Sequence, residues 1–320
     1  MIRRIKKIIK LPLVLFIKVY FRIRQFYPFW FYFLNRRPRK LYQKKPPNLN
    51  EVQERVVKSL RESGIAIVNL DEIFPGENKL ALLQAYTREL RRKAEAKTGK
   101  TFLEYLWEVI PVLDFENPFV RISLDEKILD IVNAYLEMWA RFYYLTLNIT
   151  IPVKAGEKAF ASQRWHRDPE DKKMLKLFIY LNDVDDGAGP FIYIPYSKYG
   201  LKWGHVFPQK PPRGFYPPEG AVEKIIPPDA IKYNTGRAGT VIFCDTTGLH
   251  KGGYALEKER IMFTAGYRST VSAWYTDFKY PRNLEEEMKK ANLNQKARFA
   301  LKFNSTPYST RLLYWLKGNK

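Results

Sequence analysis

The chain has three histidines, and two of them stand where a metal ion could use them. His166 and Asp168 lie two residues apart in Trp165-His166-Arg167-Asp168, and His250 follows far downstream in Leu249-His250-Lys251. Side chains two apart on an extended strand share a face, so His166 and Asp168 can reach one ion while Arg167 points away. Two imidazoles and one carboxylate take one face of an octahedron and leave three positions open, which suits iron(II) acting on oxygen with a chelating cosubstrate. A His-x-Asp pair alone is also what a solvent-facing strand presents, or a histidine hydrogen-bonded to a nearby carboxylate. The strand-like runs 239–245, just ahead of His250, and 260–267, opened by Arg260, supply the context that favours a metal.

Between the ligands runs Leu177-Phe178-Ile179-Tyr180-Leu181-Asn182-Asp183-Val184-Asp185-Asp186, then Gly189-Pro190, then Ile192-Tyr193-Ile194-Pro195-Tyr196-Ser197-Lys198. Together with the triad, this stretch resembles the phytanoyl-CoA dioxygenase family of iron(II)- and 2-oxoglutarate-dependent oxygenases. It is similar to that family's central strand, acidic turn and Gly-Pro strand ending in Pro-Gly-Ser-His. Tyr196 and Lys198 depart from that last motif. Upstream, a helical stretch from Glu51 followed by Gly64-Ile65-Ala66-Ile67-Val68-Asn69-Leu70 is similar to the family's entry into its core. The likeness spans roughly residues 48–270.

The resemblance implies Fe(II) as cofactor, held by His166, Asp168 and His250 as the catalytic triad, with 2-oxoglutarate and O2 as cosubstrates. Oxidative decarboxylation of 2-oxoglutarate would then be coupled to hydroxylation of a small-molecule or lipid-linked substrate. Halogenating relatives replace the metal carboxylate by a small residue, and Asp168 is present here. Arg260 has a spacing from His250 similar to that of the family arginine on the far carboxylate of 2-oxoglutarate. Its planar fork donates two parallel hydrogen bonds and keeps its charge when buried. A hairpin through Gly252-Gly253 is expected to aim His250 and Arg260 into one interior. Asn148, in the alternating run 144–151, and Gln163, three before His166, are further expected cosubstrate contacts, each equally suited to a structural hydrogen bond. Some relatives carry a hydroxyl two residues after the distal histidine, a position that is Gly252 here.

Other chemistry-bearing residues read as structural. Asp183, Asp185 and Asp186 sit beside Gly187 and Gly189 in a turn-like segment, so a solvated turn is expected there in place of a second metal cluster with His205. The Pro-rich stretch 199–228 interrupts the strands and either covers the site with Trp203, Phe207, Phe215 and Tyr216 as substrate contacts, or packs those rings down. Cys244 lies in an apolar strand with no histidine nearby in sequence, which reads as core and not as a nucleophile. As the sole cysteine it rules out an internal disulfide framework and fits a reducing, cytoplasmic compartment.

To position such a site, the chain offers helical stretches at 51–63, 79–97 and 124–136 ahead of a strand-rich region from 142 to 270. That order predicts a mainly β fold with flanking helices, a double-stranded β-helix of jelly-roll, cupin-like architecture. With 320 residues at 46% hydrophobic content, a substantial core is available. The expected organisation is a basic, aromatic extension at 1–47, a dioxygenase domain at 48–282 and a basic helical tail at 283–320.

Of the 55 Lys and Arg residues, 14 fall in the first 45 positions, which hold no Asp or Glu, so the charge of +22 is concentrated. There Ile2, Ile5, Ile8 and Ile9 form a helical stripe against Arg3, Lys6, Lys7 and Lys10, and greasy runs follow at 11–17 and 26–34. Lys18, Arg22, Arg24 and Gln25 interrupt the apolar run before a span accumulates, Pro28 disturbs a continuous helix, and no small-residue cleavage site follows. The segment is expected to associate peripherally with an anionic membrane surface. Packing against its own domain and binding to nucleic-acid phosphates are the alternatives, and no specific nucleic acid is indicated. For the whole chain, the competing class is a noncatalytic membrane-surface or nucleic-acid adaptor on a retained barrel.

Overall fold

The computed structural model describes residues 2–93, 97–100, 102–154, 156, 158–209, 216–302, 308, 310–312 and 315, with backbone only for 2–11 and 97–100. Among these, ten strands form two antiparallel sheets: β1 (Ile65–Asn69), β2 (Lys97–Lys100), β3 (Leu103–Tyr105), β4 (Arg141–Thr150), β5 (Met174–Tyr180), β6 (Phe191–Tyr193), β7 (Lys232–Asn234), β8 (Thr240–Cys244), β9 (His250–Gly252) and β10 (Arg260–Arg268). The large sheet runs β1-β8-β5-β10-β4-β3-β2 and the small one β7-β6-β9. This is the expected two-sheet jelly-roll arrangement with helices on the flank.

Alternation along the central strands divides the large sheet into two chemistries. Leu145, Leu147 and Ile149 of β4, Leu175, Leu177 and Ile179 of β5, and Phe263, Ala265 and Tyr267 of β10 enter the main apolar cluster shared with the helices. The alternate residues face the small sheet, where Phe178 and Tyr180 pack with Ile242, Cys244, Phe191 and Tyr193. The same alternation places Thr146, Asn148 and Thr150 of β4 and Lys176 of β5 on that inner face. Pairing of β10 with β4 sets Arg260 opposite Thr150 and Met262 opposite Asn148. Cys244 is fully buried on β8 with its thiol pushed well up by burial, as a core residue would be.

The helices are α1 (Ile2–Arg24), α2 (Arg36–Lys44), α3 (Glu51–Ser63), α4 (Leu70–Ile73), α5 (Lys79–Lys93), α6 (Pro118–Leu124), α7 (Glu126–Leu136), α8 (Leu284–Lys290) and α9 (Gln295–Leu301). Helix α3 starts at a capping box in which Asn50 accepts from Gln53 N and Gln53 accepts in turn from Asn50 N. It stops at Gly64, whose φ of +89° needs a glycine and where a Cβ would meet Tyr193 Oη at 2.3 Å. Two helix expectations change. The stretch 79–97 ends as helix at Lys93, and Lys97 opens β2, with 94–96 outside the described residues. The stretch 124–136 is helix from Glu126 onward as α7, with Leu124 closing α6, because Asp125 turns extended and its side chain accepts from Lys127 N to cap α7.

The basic extension packs on the β core. On α1, Ile17 and Phe21 form a cluster with Ala273, supported by Val14, Tyr20, Trp274, Leu312 and Trp315. The helix ends at Arg24, and after Pro28 a short π-helical turn, Phe29–Leu34, carries Trp30 and Phe31 into the main cluster. Trp30 Nε1 donates to Asp171 Oδ1 at 2.7 Å, while Asp171 Oδ2 accepts from Ser269 N at 2.8 Å. The C-terminal helix α9 joins the same cluster through Ala297, Ala300 and Leu301. The stripe expected at Ile2, Ile5, Ile8 and Ile9 has a helical backbone, but its side chains lie outside the described residues.

Trp30→Ala is therefore expected to lower unfolding stability by about 3–5 kcal/mol, the usual loss for a fully buried large aromatic. Trp30→Phe, which keeps an aromatic ring but removes the indole donor to Asp171 Oδ1, should lose about 1–2 kcal/mol. Urea unfolding followed by far-UV circular dichroism measures both, and an arm without a packing role would leave the midpoint unmoved.

Candidate metal centre

His166 and His250 face each other as a two-residue antiparallel bridge between the 165–168 segment and β9. His166 N donates to His250 O at 3.0 Å and His250 N returns to His166 O at 3.1 Å, which leaves the ring centroids 4.1 Å apart. One step along, Asp168 N donates to Thr246 O at 2.9 Å, so the carboxylate lies beside both rings. Its Oδ1 is 3.9 Å from His166 Nε2 and its Oδ2 3.7 Å from His250 Nε2. Among the described residues this is the group of His, Cys, Asp and Glu side chains that could hold a metal, with its ligand atoms within 4.8 Å of one another.

The donor chemistry fits a metal ion. His166 Nδ1 sits 2.8 Å from Arg164 O and His250 Nδ1 3.0 Å from Gly248 O. A carbonyl only accepts, so each Nδ1 carries the proton and each Nε2 turns a lone pair toward Asp168. Burial, followed by the neighbouring His166, pushes His250 down to about 3, which keeps it a neutral ligand. Burial would raise the Asp168 carboxyl, but the charge and hydrogen bond of Lys176 hold it well below the usual carboxylate range.

Arg167 points away from the triad as expected, and its guanidinium performs a task that the sequence did not show. It is 2% exposed and donates to five main-chain carbonyls: Ser197, Thr247 at 2.7 Å, Val206 at 2.8 Å, Phe207 at 2.9 Å and Trp203 at 3.2 Å. All donors of the fork are used, and the strand bearing the ligands is stapled to the 197–207 loop. Lys176, on the inner face of β5, was also missed. Its Nζ lies 2.6 Å from Asp168 Oδ2, and although burial opposes its charge, Asp168 and Glu170 hold the ammonium protonated.

The expected hairpin between His250 and Arg260 is not present, because β9 pairs with β6 in the small sheet and β10 with β4 and β5 in the large one. The connection crosses between sheets, and both side chains still face the interior. Arg260 Nη1 donates to Gly189 O and Nη2 to Thr150 Oγ1 at 3.1 Å. A Cβ on Gly252 would lie 3.9 Å from Arg260 Nη2 and 3.7 Å from Ser162 O, so the guanidinium stands beside the strand that bears His250. Thr150, paired opposite Arg260, presents its hydroxyl to that guanidinium, a contact legible only once the β4–β10 register is known.

Gln163 is buried beside this strand, its Oε1 accepting from Phe160 N at 3.3 Å while Nε2 has no partner. Arg260 Nε is likewise buried without a partner. Two unsatisfied buried donors are what a carboxylate ligand would complete. Asn148 is on the inner face as expected, with Oδ1 accepting from Thr146 Oγ1 at 2.7 Å. In the loop above, Tyr216 stacks on His166 with centroids 5.6 Å apart, while Trp203 and Phe207 pack onto the cluster of Trp165, Ile192 and Ile194. Phe215 lies outside the described residues. His205 is exposed, Asp185 Oδ1 accepts from Ala188 N, and Asp183 accepts from Ala238 N, as turn residues do.

No protein-family model matches the chain, and no curated protein matches it either. Solved structures do. The chain is similar to EctD from S. alaskensis with 2-oxoglutarate and 5-hydroxyectoine, at TM-score 0.52 and 16% identity, over 83% of this chain and 90% of that one. EctD with bound Fe gives TM-score 0.50 and 16% identity, over 75% and 86%. The epimerase SnoN in complex with Fe3+, alpha ketoglutarate and nogalamycin RO gives TM-score 0.50 and 19% identity, over 74% and 89%. The neighbours are thus iron- and 2-oxoglutarate-binding enzymes, and at these identities what the chain shares with them is the fold.

The depressed His250 makes one contribution to the pH response of the metal-free protein, opposite in sign to that of Glu170, whose carboxyl is pushed up to about 7 by burial. Below its unfolded value of 6.5 the unfolded chain takes up a proton that the folded site refuses down to about 3, so stability falls as pH drops through that window. Asp168, held in the folded protein below the 3.8 of a free carboxyl, adds a loss only under that value. Urea titrations between pH 7 and 4.5 should show His250→Asn narrowing its stability difference from wild type as pH falls. Parallel curves would contradict a buried neutral imidazole.

Proposed function

We propose that the protein is an Fe(II)- and 2-oxoglutarate-dependent oxygenase of the phytanoyl-CoA dioxygenase type, acting as a hydroxylase. The observation that carries this is the convergence of His166 Nε2, Asp168 and His250 Nε2, both imidazoles oriented by carbonyls behind them. The three side chains would hold the metal by one face. Arg260, with Thr150 and the unsatisfied amide of Gln163, would receive the far carboxylate of 2-oxoglutarate, with Asn148 as a further contact. The bound iron and cosubstrate supply the oxidising chemistry, with carbon dioxide and succinate as by-products. The chain's own part is to orient the ligands, to neutralise Asp168 through Lys176, and to shelter the site behind Tyr216. A noncatalytic adaptor would have no use for two tautomer-fixed imidazoles turned onto one carboxylate.

Anaerobic addition of Fe(II) and 2-oxoglutarate should give a metal-to-ligand charge-transfer absorption, and admission of oxygen should yield succinate. His166→Ala and Asp168→Ala are expected to abolish the band. Arg260→Ala should retain iron and weaken 2-oxoglutarate by roughly 100-fold, as loss of a charged hydrogen-bonding partner does. Unchanged binding in all three rejects the site. A substrate would be found as a gain of one oxygen when cellular metabolites and lipids are compared with and without the active protein.

The reading of the extension as a peripheral membrane element is supported by a second stripe on α1. Ile17 is fully buried, yet Leu15, Phe16, Val19 and Ile23 are about half or more exposed, and Lys18 and Arg22 interleave with them. The patch continues to Phe26, Tyr32 and Phe33, beside Arg36, Arg37 and Lys40. Apolar side chains with a cationic rim match an anionic lipid surface. No helix among the described residues is long and apolar enough to cross a membrane. Removing residues 1–45 would also remove Trp30, so the clean test is Phe16→Glu with Val19→Glu in the full chain. Flotation with phosphatidylserine-containing liposomes should fall at least tenfold while the urea midpoint stays put. Equal flotation would sink this role.

A further inference from the structure

Outside the metal centre, half-buried positive charge gathers between the extension and the core. A cavity of about 230 Å³ is lined by Lys172 and Lys173, just past the metal loop, by Lys198, and by the aromatic walls Tyr27 and Tyr199. Asp245 is the acid in this lining, and its oxygens are already engaged: Oδ2 takes the Tyr135 hydroxyl, and Oδ1 takes Thr247 N and Thr247 Oγ1. Glu137 reaches Lys173 only at 4.0 Å from a side chain 44% exposed. Lys173 donates to Tyr135 O at 2.5 Å, which leaves it further protons to donate. Lys172 rests on the Tyr199 ring at 3.4 Å, and Lys198 lies 5.7 Å from the Tyr135 ring. Charge on Asp245 is felt by both, from a carboxylate whose lone pairs are committed elsewhere.

Three ammonium groups gathered around one occupied carboxylate, with Glu137 4.0 Å from Lys173 at the exposed rim, leave net positive charge of the kind a phosphate group would cancel. Burial pushes Lys172 and Lys173 down to about 8, as expected of cations held without a close counter-ion. Nearby Arg61 adds to the positive potential on Lys173 and Lys198. Lys198 occupies the position at which the strand departs from the Pro-Gly-Ser-His pattern, and Tyr27 comes from the extension. The wall is therefore assembled from five separate parts of the chain.

We infer that this cavity is a phosphate-binding site, distinct from the metal centre, in which Lys172, Lys173 and Lys198 receive a phosphomonoester or diphosphate group between Tyr27 and Tyr199. The inference does not rest on the oxygenase reading, since it uses none of the metal ligands or cosubstrate contacts. The ligand is either a soluble phosphate compound or the headgroup of a phosphorylated lipid brought by the surface that bears α1.

Isothermal titration of the full-length, metal-free protein with inorganic phosphate and with pyrophosphate, at constant ionic strength, tests the site itself. Flotation with phosphatidylcholine vesicles, with and without phosphatidate, tests the lipid source. Saturable binding that falls at least tenfold in Lys172→Gln/Lys198→Gln, with Arg260→Ala unchanged, supports the site. Affinity for free phosphates assigns a soluble ligand, whereas phosphatidate-dependent flotation alone, lost in the same double variant, assigns a headgroup. Absence of both, or binding that is non-saturable or unchanged in the double variant, overturns the proposal. Thermal melts of the double variant confirm that it is folded. Charge-transfer absorption with Fe(II) and 2-oxoglutarate should survive in it, which separates failure here from failure of the metal centre.

Discussion

Everything at the metal centre depends on one pair of backbone hydrogen bonds, those exchanged by His166 and His250. A mutual antiparallel pairing fixes two Cα positions and the direction of both side chains, so residues far apart in sequence present imidazoles on the same face. Beyond this isolated pairing, Asp168 N donates to Thr246 O, outside the register that His166 and His250 set, and the turn at 245–248 lets the carboxylate come beside both rings. Two carbonyls, of Arg164 and Gly248, then settle which ring nitrogen carries the proton. Each carbonyl lies two residues before the histidine it serves, so the strand that supplies a ligand also selects its tautomer. The pairing itself is held by Arg167, whose five bonds tie the ligand segment to four carbonyls of the 197–207 loop and to Thr247 O in the turn before His250.

The inner face between the two sheets concentrates charge that an apolar core would exclude. Lys176 sits on Asp168 at 2.6 Å, and a carboxylate has enough lone pairs to accept that ammonium on Oδ2 while leaving Oδ1 directed toward His166. Removing Lys176 would leave a buried carboxylate beside Glu170, whose own acid is pushed up to about 7 by burial and by Asp168. Arg260 is balanced differently, by a main-chain carbonyl and a hydroxyl and no acid, so its charge remains available to a ligand. One interior thus holds an acid with its cation and a cation without its acid, the second being what an anionic cosubstrate requires.

The sequence made the triad legible because period-two spacing is a local property and because only three histidines compete for the role. It made Gly64 legible as a stop, since an αL residue after an amphipathic run has few alternatives. What it misjudged depends on which strands are neighbours. The His250–Arg260 hairpin failed because Gly252-Gly253 carries the chain to the other sheet, and no residue type marks that crossing. Thr150 and Lys176 were invisible for the same reason: a threonine and a lysine in alternating strands acquire roles only from the residue opposite. Tyr196 is the reverse case. It stands where the resembling motif has glycine, yet keeps φ at +63°, so the turn survives in conformation while the residue type that would announce it is gone.

The first 45 residues show why composition alone cannot choose between a membrane surface and a packed arm. Both need apolar residues at helical spacing among basic ones, and that spacing does not say what the apolar face meets. In the folded chain the helix carries two apolar stripes. Val14, Ile17, Tyr20 and Phe21 meet Ala273, Trp274, Leu312 and Trp315, whereas the stripe through Leu15, Phe16, Val19 and Ile23 stays exposed among the described residues. Docking of the first stripe orients the second, and Trp30 then links the arm to Asp171, three residues from the metal-site carboxylate. The arm that α1 opens therefore ends in a hydrogen bond to the loop that follows Asp168, a connection that neither half of the sequence displays by itself.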